Sequence, residues 1–232
     1  MKLALLGYGR MGKAIEQIAL ERGHQIVCKM DKDQSEGQLE GADAAINFSV
    51  PDAAVDNINK ALHQSIPVVC GTTGWLDAYG EVTQTAVEKD TAFLYASNFS
   101  IGVNLFFKLN KILAKMMRQN QDYKVVMQET HHIHKLDAPS GTAITLAEGI
   151  IENSDLSQWK LEDNGPDTVS IQSFREGEIL GTHSVKYVSP IDEITIEHKA
   201  HNRKGFALGA VIAAEWIADK KGIFKMEDVL NL

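Results

Sequence analysis

The feature that most constrains the fold of this chain is a glycine-rich turn near its N-terminus. The turn has the sequence Gly7-Tyr8-Gly9-Arg10-Met11-Gly12. It follows an apolar segment, residues 1–6, and precedes an amphipathic helical pattern and a second apolar segment that ends at Asp31. The order strand, G-x-G-x-x-G, helix, strand and acid is typical of a unit that binds a dinucleotide.

Each glycine of the turn has a physical role in this interpretation. Gly7 allows a tight turn, Gly9 allows the backbone to approach a pyrophosphate, and Gly12 allows the helix and the strand to pack closely. The unpaired N–H groups at the start of the following helix also favour bound phosphate. We therefore predict that residues 7–12 contact a dinucleotide cofactor.

Two residues after the second strand bear on the choice of dinucleotide. Asp31 stands where a carboxylate can accept hydrogen bonds from an adenosine ribose, which favours NADH. Lys32 beside it can pair with the 2′-phosphate of NADPH, or it can be an ordinary solvated loop lysine. The sequence therefore predicts NADH or NADPH as the cofactor, with both remaining open.

Short apolar segments alternate with amphipathic helical patterns up to about residue 95, which predicts a parallel sheet covered by helices on both faces. Ligands of such sheets bind at the carboxyl ends of the strands. Two further segments at strand ends are therefore candidate cofactor contacts: Gly71-Thr72-Thr73 and Ala96-Ser97-Asn98-Phe99. These residue types also occur in ordinary turns, but their position at the ligand edge favours contact with the cofactor.

After residue 99 the pattern changes to longer helices and strands. Helical periodicity predicts helices over about residues 101–119 and 141–152, and we expect Met116 and Met117 to lie in the core. The predicted strands cover residues 123–128, 168–174, 178–188 and 191–200. Arg175-Glu176-Gly177 suits a hairpin between the second and third of these strands, and the polar segment 153–167 suggests a surface excursion.

These patterns predict an α/β fold made of a Rossmann-type, parallel-sheet nucleotide domain and an inserted α+β domain with an open, mainly antiparallel sheet. A final helix over about residues 204–220 returns the chain to the first domain. The dinucleotide-binding domain then comprises residues 1–99 and 205–232, and residues 100–204 form a domain for substrate binding and oligomerisation. We expect the two helices to cover one face of the open sheet and a second subunit to cover the other.

The reactive residue types concentrate in one stretch of the inserted domain. Its sequence is Glu129-Thr130-His131-His132-Ile133-His134-Lys135-Leu136-Asp137-Ala138-Pro139-Ser140-Gly141-Thr142-Ala143. Three of the eight histidines of the chain lie here, and Lys135 follows them directly. Because the formal net charge of the chain is −8, this local positive cluster predicts a small anionic ligand.

The chemistry of these residue types suggests their roles. Histidine, with an ordinary pKa of about 6.5, suits proton transfer near neutral pH, and lysine offers a positive charge for proton donation or carboxylate binding. Ser140-Gly141-Thr142 opens a helix, where backbone N–H groups and the Thr142 hydroxyl can hold a second carboxylate. The stretch therefore predicts a site for a compact dianion.

Two other interpretations of the histidines were weighed. His131, His132 and His134 could bind a metal together with Glu129 or Asp137. On an extended chain His132 and His134 share a side and His131 faces away, so we predict no metal. A polar surface loop would explain a single histidine, but it explains less well a cluster joined to a lysine and a helix start.

Charge and cysteine content exclude other classes of protein. The net charge of −8 argues against nucleic acid and anionic membranes as partners. No apolar run reaches the ~18 residues that a membrane span needs. Cys28 and Cys70 lie in apolar, strand-like runs without metal-ligand spacing, which predicts buried, reduced thiols in a cytoplasmic protein.

The histidine stretch resembles the motif of the 4-hydroxy-tetrahydrodipicolinate reductases, also called dihydrodipicolinate reductases. The family pattern, E-x-H-H-x-x-K-x-D-A-P-S-G-T-A, is met throughout residues 129–143. The glycine turn, residues 71–73, residues 96–100 and the end of the chain from Arg203 to Leu230 are also similar to the family. The resemblance therefore spans the whole chain.

This resemblance implies a two-domain homotetramer that uses NADH or NADPH to reduce a small, cyclic, dianionic substrate. The implied reaction converts 4-hydroxy-tetrahydrodipicolinate (dihydrodipicolinate) to tetrahydrodipicolinate in diaminopimelate and lysine biosynthesis. By motif, His131 is the proton donor or acceptor, Lys135 is a second proton donor and anion contact, and His132, Gly141 and Thr142 bind the substrate. The implied cofactor contacts are residues 7–12, Asp31, Lys32, residues 71–73 and residues 96–99.

The chain departs from the family in two details, and two other functions compete. The second glycine of the turn usually comes one place later, and the connection at residues 32–42 is short. Another nicotinamide-dependent dehydrogenase of amino-acid metabolism would share the first hundred residues. A non-enzymatic nucleotide sensor would need a degraded active site, whereas this one is complete.

Overall fold

A computed structural model describes residues 1–32, 34–163, 165–202 and 204–232 of the chain. The chain forms two compact units, one made of residues 1–101 with 204–232 and one made of residues 102–203. The second unit is therefore an insertion between two segments of the first. Arg203, where the C-terminal part of the family resemblance begins, lies outside the described residues, as does Asn164 of the predicted surface excursion.

The first unit alternates strands with helices. Its strands are β1 (Lys2–Leu6), β2 (Gln25–Met30), β3 (Ser35–Gly37), β4 (Ala44–Asn47), β5 (Val68–Cys70), β6 (Ala92–Tyr95) and, after the insertion, β12 (Gly222–Phe224). Its helices are α1 (Arg10–Glu21), α2 (Pro51–Leu62), a 3-10 turn (Leu76–Ala78), α3 (Tyr79–Glu88), α6 (Lys204–Ile217) and α7 (Met226–Leu230).

These strands form one sheet in the order β12-β6-β5-β4-β1-β2-β3. Neighbouring strands are parallel except β2 and β3, which form a short antiparallel pair. The strand order reverses at β1, which pairs with β2 on one side and with β4 on the other. In sheets of this type, ligands bind at the carboxyl ends of the strands beside such a reversal.

Both faces of this sheet are buried, as the alternation along β1 shows. Leu3 and Leu5 lie in a core cluster with α1 and α6, whereas Ala4 and Leu6 lie in a second cluster with α2 and α3. This alternation follows from the period of two residues in a strand. The predicted Rossmann-type sheet, with helices on both faces, is confirmed.

The second unit combines two helices with a second sheet. Its helices are α4 (Ile101–Met117) and α5 (Gly141–Ile151). Its strands are β7 (Lys124–His131), β8 (Gln158–Leu161), β9 (Thr168–Arg175), β10 (Thr182–Val188) and β11 (Glu193–Lys199). They pair in the order β11-β10-β7-β9-β8.

This second sheet is mixed, whereas a mainly antiparallel sheet was predicted. β10 pairs antiparallel with β11 and with β7, whereas β9 pairs parallel with β7 and with β8. The predicted hairpin between β9 and β10 is wrong, because β7 lies between them and provides a partner for each. Residues 175–177 therefore follow β9, but the next strand, β10, does not pair with β9.

The two helices cover one face of the second sheet, as predicted. Leu113 of α4 and Leu146 of α5 share a core cluster with Met127 and Ile171 of the strands. The opposite face carries polar side chains, among them Gln128, whose amide donates to Gln172 at 2.7 Å. The one-sided burial of this sheet follows from that polar alternation.

Several expectations for local structure are wrong. Met116 is 66% exposed, in a row with exposed Leu105, Leu109 and Ile112, although all four share helical spacing. The predicted surface excursion contains a fifth strand, β8, whose exposed polar residues hid it. The short strands β3 and β12 were also not predicted.

Two other expectations concern the cysteines and membranes. Cys28 and Cys70 are both buried free thiols, as predicted. Within the described parts of the chain, no helix is both long enough and apolar enough to cross a membrane.

Helix α6 packs closely against the backbone of Phe99, in the segment that follows β6. A Cβ atom added to Gly209 would lie 1.7 Å from the carbonyl oxygen of Phe99. A Cβ atom added to Gly205, on the same helix, would lie 3.8 Å from the Ser100 hydroxyl, which is an ordinary contact. The close approach of α6 therefore depends on glycine at position 209 and not at position 205.

We expect Gly209→Ala to lower the free energy of unfolding by about 1–3 kcal/mol or more, because the helix must shift away from Phe99. Gly205→Ala is the matched control, and its better helix propensity should change stability by at most about 1 kcal/mol in the favourable direction. Urea denaturation of both variants measures the difference. Equal stabilities of the two variants would contradict the close approach.

Candidate active site

The glycine turn of the first unit has the steric properties that a phosphate-binding turn needs. Gly7 has φ +98°, and a Cβ atom there would lie 2.3 Å from the carbonyl oxygen of Phe48. A Cβ atom on Gly12 would lie 2.4 Å from the carbonyl oxygen of Gly7. A Cβ atom on Gly9, which precedes the first residue of α1, would meet no atom within 4 Å. The turn is therefore packed tightly against the protein at Gly7 and Gly12 and is open at Gly9.

A cleft of about 350 Å³ lies beside this turn, lined by Tyr8, Lys29, Asp31, Lys32, Gln34 and Glu36. Two of these residues, Gln34 and Glu36, belong to the short connection after β2, where β3 pairs with β2. The amide of Lys32 donates to Asp31 Oδ1 at 2.9 Å, so the carboxylate is held at the end of β2. Asp31 and Lys32, the two residues predicted to meet the adenosine ribose, thus line one cleft.

Tyr8 and Lys29 have partners of their own at the edge of this cleft. Lys29 Nζ lies 2.6 Å from Glu16 Oε1 and 4.8 Å from the centre of the Tyr8 ring. The Tyr8 hydroxyl donates to the same Glu16 carboxylate. Glu16 therefore neutralises the charge of Lys29. Lys32, the second lysine of the cleft, has no ion pair with a carboxylate among the described residues.

The other predicted cofactor segments divide between buried and exposed side chains. Thr72 is buried, and its hydroxyl accepts a hydrogen bond from the Ser49 amide at 2.9 Å. Phe99 is also buried, with its ring centre 5.6 Å from that of Phe48. These two side chains join strand ends within the core, so a cofactor could reach only their backbone. Thr73 and Ser97, in contrast, are exposed.

In the second unit, the site is organised around the carboxylate of Glu129, which is 1% exposed. Its Oε1 atom accepts hydrogen bonds from the Ser173 hydroxyl at 2.9 Å and from Arg175 Nη2 at 3.1 Å. Its Oε2 atom accepts the Ser140 amide at 3.1 Å and lies 3.2 Å from His131 Nδ1. One buried carboxylate therefore contacts the end of β7, the end of β9 and the start of α5.

These contacts decide the charge of Glu129. Burial alone would raise the pKa of its carboxyl group, but the contacts with His131, Ser140 and Ser173 outweigh burial and hold the pKa well below its ordinary value. The carboxylate is therefore ionised at neutral pH. It lies at ion-pair distance from His131, although the ring N–H of His131 is not aligned for a hydrogen bond.

A second histidine, which the sequence did not single out, packs on His131. The rings of His131 and His183 meet edge to face with their centres 5.0 Å apart. His183 Nε2 lies 3.0 Å from the Ser140 hydroxyl and 3.7 Å from Glu129 Oε2. Burial, followed by the neighbouring charge of His131, lowers the pKa of His183 to about 4.

The remaining histidines of the stretch lie apart from this cluster. The rings of His132 and His134 are 6.1 Å apart. The side chain of His134 is 70% exposed and lies 3.5 Å from the exposed carboxylate of Glu178. His132 is half-buried, and its Nδ1 atom has no hydrogen-bond partner among the described residues. His131 and His132 thus face different surroundings, as an extended chain predicts.

Lys135 and Arg175 shape the loop between β7 and α5. Lys135 Nζ donates to both carboxylate oxygens of Asp137 at 2.7 Å, and this contact is the main reason that the pKa of Asp137 is lowered. Arg175 donates to the carbonyl oxygens of Lys135 at 3.2 Å and of Asp137 at 2.6 Å. The same guanidinium group therefore binds both Glu129 and the backbone of this loop.

Ser140 begins α5 and has internal partners for both of its polar groups. Its hydroxyl accepts the Ala143 amide at 3.2 Å, which caps the helix. Its backbone N–H donates to Glu129 Oε2. The predicted substrate contact through Ser140 therefore has a competing structural role. Gly141, the first residue of the helix, is exposed.

The histidines that lie close enough to share a metal ion are not the set His131, His132 and His134 that the sequence suggested. Among the described residues, the group that could offer ligand atoms within 4.8 Å of one another is Glu129, His131 and His183. Both oxygens of Glu129 already accept hydrogen bonds from Ser140, Ser173 and Arg175. These contacts give the cluster a role as a hydrogen-bonded charge network.

The sequence offered no local signal for three of these residues. Ser173, Arg175 and His183 are separated from Glu129 by 44 or more positions. They reach it because β9 and β10 are the two neighbours of β7 in the sheet.

A Rossmann-type unit with an open glycine turn, joined to a unit with a histidine and lysine cluster, defines a nicotinamide-dependent oxidoreductase. Comparison with known proteins identifies the family. The model described as "Dihydrodipicolinate reductase, N-terminus" matches residues 1–99, and the model described as "Dihydrodipicolinate reductase, C-terminus" matches residues 102–230. The chain belongs to the dihydrodipicolinate reductase family.

Individual relatives agree with this assignment. The 4-hydroxy-tetrahydrodipicolinate reductase of Christiangramia forsetii is 53% identical, and the alignment covers 100% of this chain and 98% of the relative. The enzyme of that name from Neisseria meningitidis serogroup B is 33% identical over 94% of this chain and 84% of its own. The dipicolinate-bound dihydrodipicolinate reductase from Paenisporosarcina sp. TG-14 shares the fold, with a TM-score of 0.81, 23% identity and 97% of each chain covered.

The depressed pKa of Glu129 predicts a specific dependence of stability on pH. Above its ordinary pKa of 4.5 the carboxyl group is ionised in the folded and unfolded chain, and its full contribution is present. Below that pH the unfolded chain takes up the proton first, so the contribution is lost as the pH falls towards the lower folded-state pKa.

We therefore expect Glu129→Gln to lower the free energy of unfolding at pH 7 by about 3–5 kcal/mol, because Arg175 loses its buried partner. The difference from the unaltered protein should shrink as the pH falls below 4.5. Denaturation curves across this pH range measure both effects. Glu178→Gln, at a carboxylate whose side chain is 83% exposed, is the control and should change neither quantity. A constant difference at all pH values would contradict the proposed ionisation of Glu129.

Proposed function

We propose that this protein reduces 4-hydroxy-tetrahydrodipicolinate to tetrahydrodipicolinate with NADH or NADPH, in the biosynthesis of diaminopimelate and lysine. The observation that carries the proposal is the Glu129–His131 pair beside Lys135 and the start of α5, in a chain of this family. The first unit is proposed to bind the cofactor and the second to bind the substrate. When bound, the cofactor supplies the hydride of the reaction.

His131 is the proposed proton donor. Its Nδ1 atom lies 3.2 Å from the ionised carboxylate of Glu129, which places the ring and leaves Nε2 to deliver the proton. Gly181 lies beside that atom, since a Cβ atom there would be 3.1 Å from His131 Nε2. The absence of a side chain at Gly181 keeps the space around the donor atom open.

Lys135 and the start of α5 are proposed to hold the two carboxylates of the substrate. Lys135 is paired with Asp137 through contacts of 2.7 Å, so an anionic substrate competes with that carboxylate for the ammonium group. The positive end of α5, at Gly141 and Thr142, favours a second negative charge. His132, half-buried beside the loop, is the proposed third substrate contact.

For the cofactor, the glycine turn fits a pyrophosphate. The open space at Gly9 would be filled by any other side chain, and the first turn of α1 follows it directly. Asp31 and Lys32 are proposed to meet the ribose, and the exposed Thr73 and Ser97 to lie along the same edge of the sheet. Residues 71–72, Ala96, Asn98 and Phe99 would contribute through their backbone.

We further propose a homotetramer in the cytoplasm. The polar face of the second sheet, which carries Gln128 and Gln172, is the proposed surface between subunits, because α4 and α5 occupy the other face. The two buried free thiols, Cys28 and Cys70, fit a reducing compartment.

The function is tested by oxidation of NADH and NADPH, with the substrate formed in situ from pyruvate and aspartate semialdehyde. We expect His131→Gln to lower turnover by about 10²–10⁴-fold, the usual contribution of a positioned general acid, while NADH binding is retained. His134→Gln removes an exposed histidine three positions away and should leave turnover unchanged. Normal turnover of His131→Gln would refute the assigned role. Turnover of a semialdehyde or an amino acid, with none of this substrate, would favour another dehydrogenase.

The two residues of the ribose cleft predict how the cofactors are distinguished. Lys32→Ala should raise KM for NADPH and leave KM for NADH nearly unchanged, because only NADPH carries a 2′-phosphate. Asp31→Ala should raise KM for NADH, because the ribose loses its acceptor. Steady-state kinetics with each cofactor measure both effects. Equal changes for both cofactors in both variants would place the adenosine end elsewhere.

A further inference from the structure

We propose that His183 is a positioning residue that joins the proton donor His131 to the anion-binding start of α5, and that it acts through its Nε2 atom. This inference rests on the proposed function of the same site. His183 packs on His131 and lies at hydrogen-bond distance from Ser140, so its contribution would pass through these two residues.

The geometry places His183 between the two parts of the site. Its ring is 5% exposed and lies against the His131 ring at an angle of 73° with a centre distance of 5.0 Å. On the other side, its Nε2 atom lies 3.0 Å from the Ser140 hydroxyl. A buried ring of fixed size therefore sets the distance between the donor histidine and the first turn of the helix.

The contact between His183 and Ser140 also affects the residues to which Ser140 is hydrogen-bonded. The Ser140 hydroxyl accepts the Ala143 amide at 3.2 Å, and the Ser140 amide donates to Glu129 at 3.1 Å. Rotation of this hydroxyl group would thus release the helix cap and disturb the residue whose amide holds the Glu129 carboxylate. His183 Nε2 fixes the rotation, because it supplies the remaining partner of the hydroxyl group.

Only one nitrogen of His183 takes part. Its Nδ1 atom is buried without a hydrogen-bond partner among the described residues. Gly181, two positions before His183, supports the same arrangement, because it has φ +153° and leaves space for the edges of both rings. The start of β10 is therefore shaped to accommodate His131, with Gly181 beside its Nε2 atom and His183 against its ring.

The protonation state of His183 affects its hydrogen bond with Ser140. The charged groups that face it are Glu129, His131, His198 and Lys135. Burial and the charge of His131 together hold the pKa of His183 near 4, so its ring is neutral where the enzyme would work.

Two amide variants separate the nitrogens of His183. The side-chain amide of glutamine reaches the position of Nε2, whereas that of asparagine reaches only the position of Nδ1. We expect His183→Asn to lower kcat by about tenfold to a hundredfold, the effect of misplacing a reacting group by about 1 Å, with a smaller rise in KM for the substrate. His183→Gln should restore kcat to within about threefold of the unaltered protein. NADH affinity, measured by fluorescence, should be unchanged in both.

The outcomes separate this inference from the proposed function. An unaltered protein without reductase activity would remove the proposed function itself. Given an active protein, equal kcat values for folded His183→Asn and His183→Gln, whether high or low, would overturn the positioning role. If His183→Asn does not fold by thermal denaturation, Ser140→Ala takes its place, because it removes the partner of Nε2. A loss of kcat in Ser140→Ala at an unchanged melting temperature would support the inference, because loss of the helix cap is then not the cause. Full kcat, or a loss of kcat that accompanies a lowered melting temperature, would overturn it.

Discussion

The buried carboxylate of Glu129 is the interaction on which the second unit depends. An ionised group at this depth is tolerated only when hydrogen bonds and opposite charges replace its lost water. Here four groups do so, from β7, β9 and the start of α5. The loop between His131 and Ser140 is consequently attached to one carboxylate at both ends. Arg175 holds the middle of the loop by its contacts with the carbonyl oxygens of Lys135 and Asp137.

The start of the first unit has a local sequence pattern, which is why β1, α1 and β2 were predicted, whereas β3 and β12 of the same sheet were not. The glycine turn, α1 and β2 follow one another within thirty residues, so their order is visible in one short segment of the sequence. Strand pairing in the second unit has no such local cause. The residues between β9 and β10 suited a hairpin, but β7, encoded some forty residues earlier, pairs with both. The predicted burial of Met116 in α4 was wrong for another reason. The helix has two apolar stripes, and only the one with Phe106 and Leu113 is buried.

The same distinction separates the predicted from the unpredicted parts of the site. His131, Lys135 and Ser140 were found because the β7–α5 loop gathers them within ten positions. Ser173, Arg175 and His183 come from other strands, and only the sheet order brings them to Glu129. Glu129 itself was noted as a possible metal ligand, since a sequence shows a carboxylate without showing its partners. The histidine and lysine cluster of the loop is therefore visible in the sequence, whereas the residues of other strands that contact Glu129 are not.

The two basic side chains beside Glu129, Arg175 and His131, differ in how firmly they hold their protons. Arg175 keeps its charge at all accessible pH values, whereas His131 can lose its proton. If His131 were the sole partner, release of its proton would leave an uncompensated charge in the interior. Because Arg175, Ser173 and the Ser140 amide remain in place, the carboxylate stays satisfied in either protonation state of the ring. The contacts that hold the Glu129 carboxylate therefore do not depend on the proton of His131.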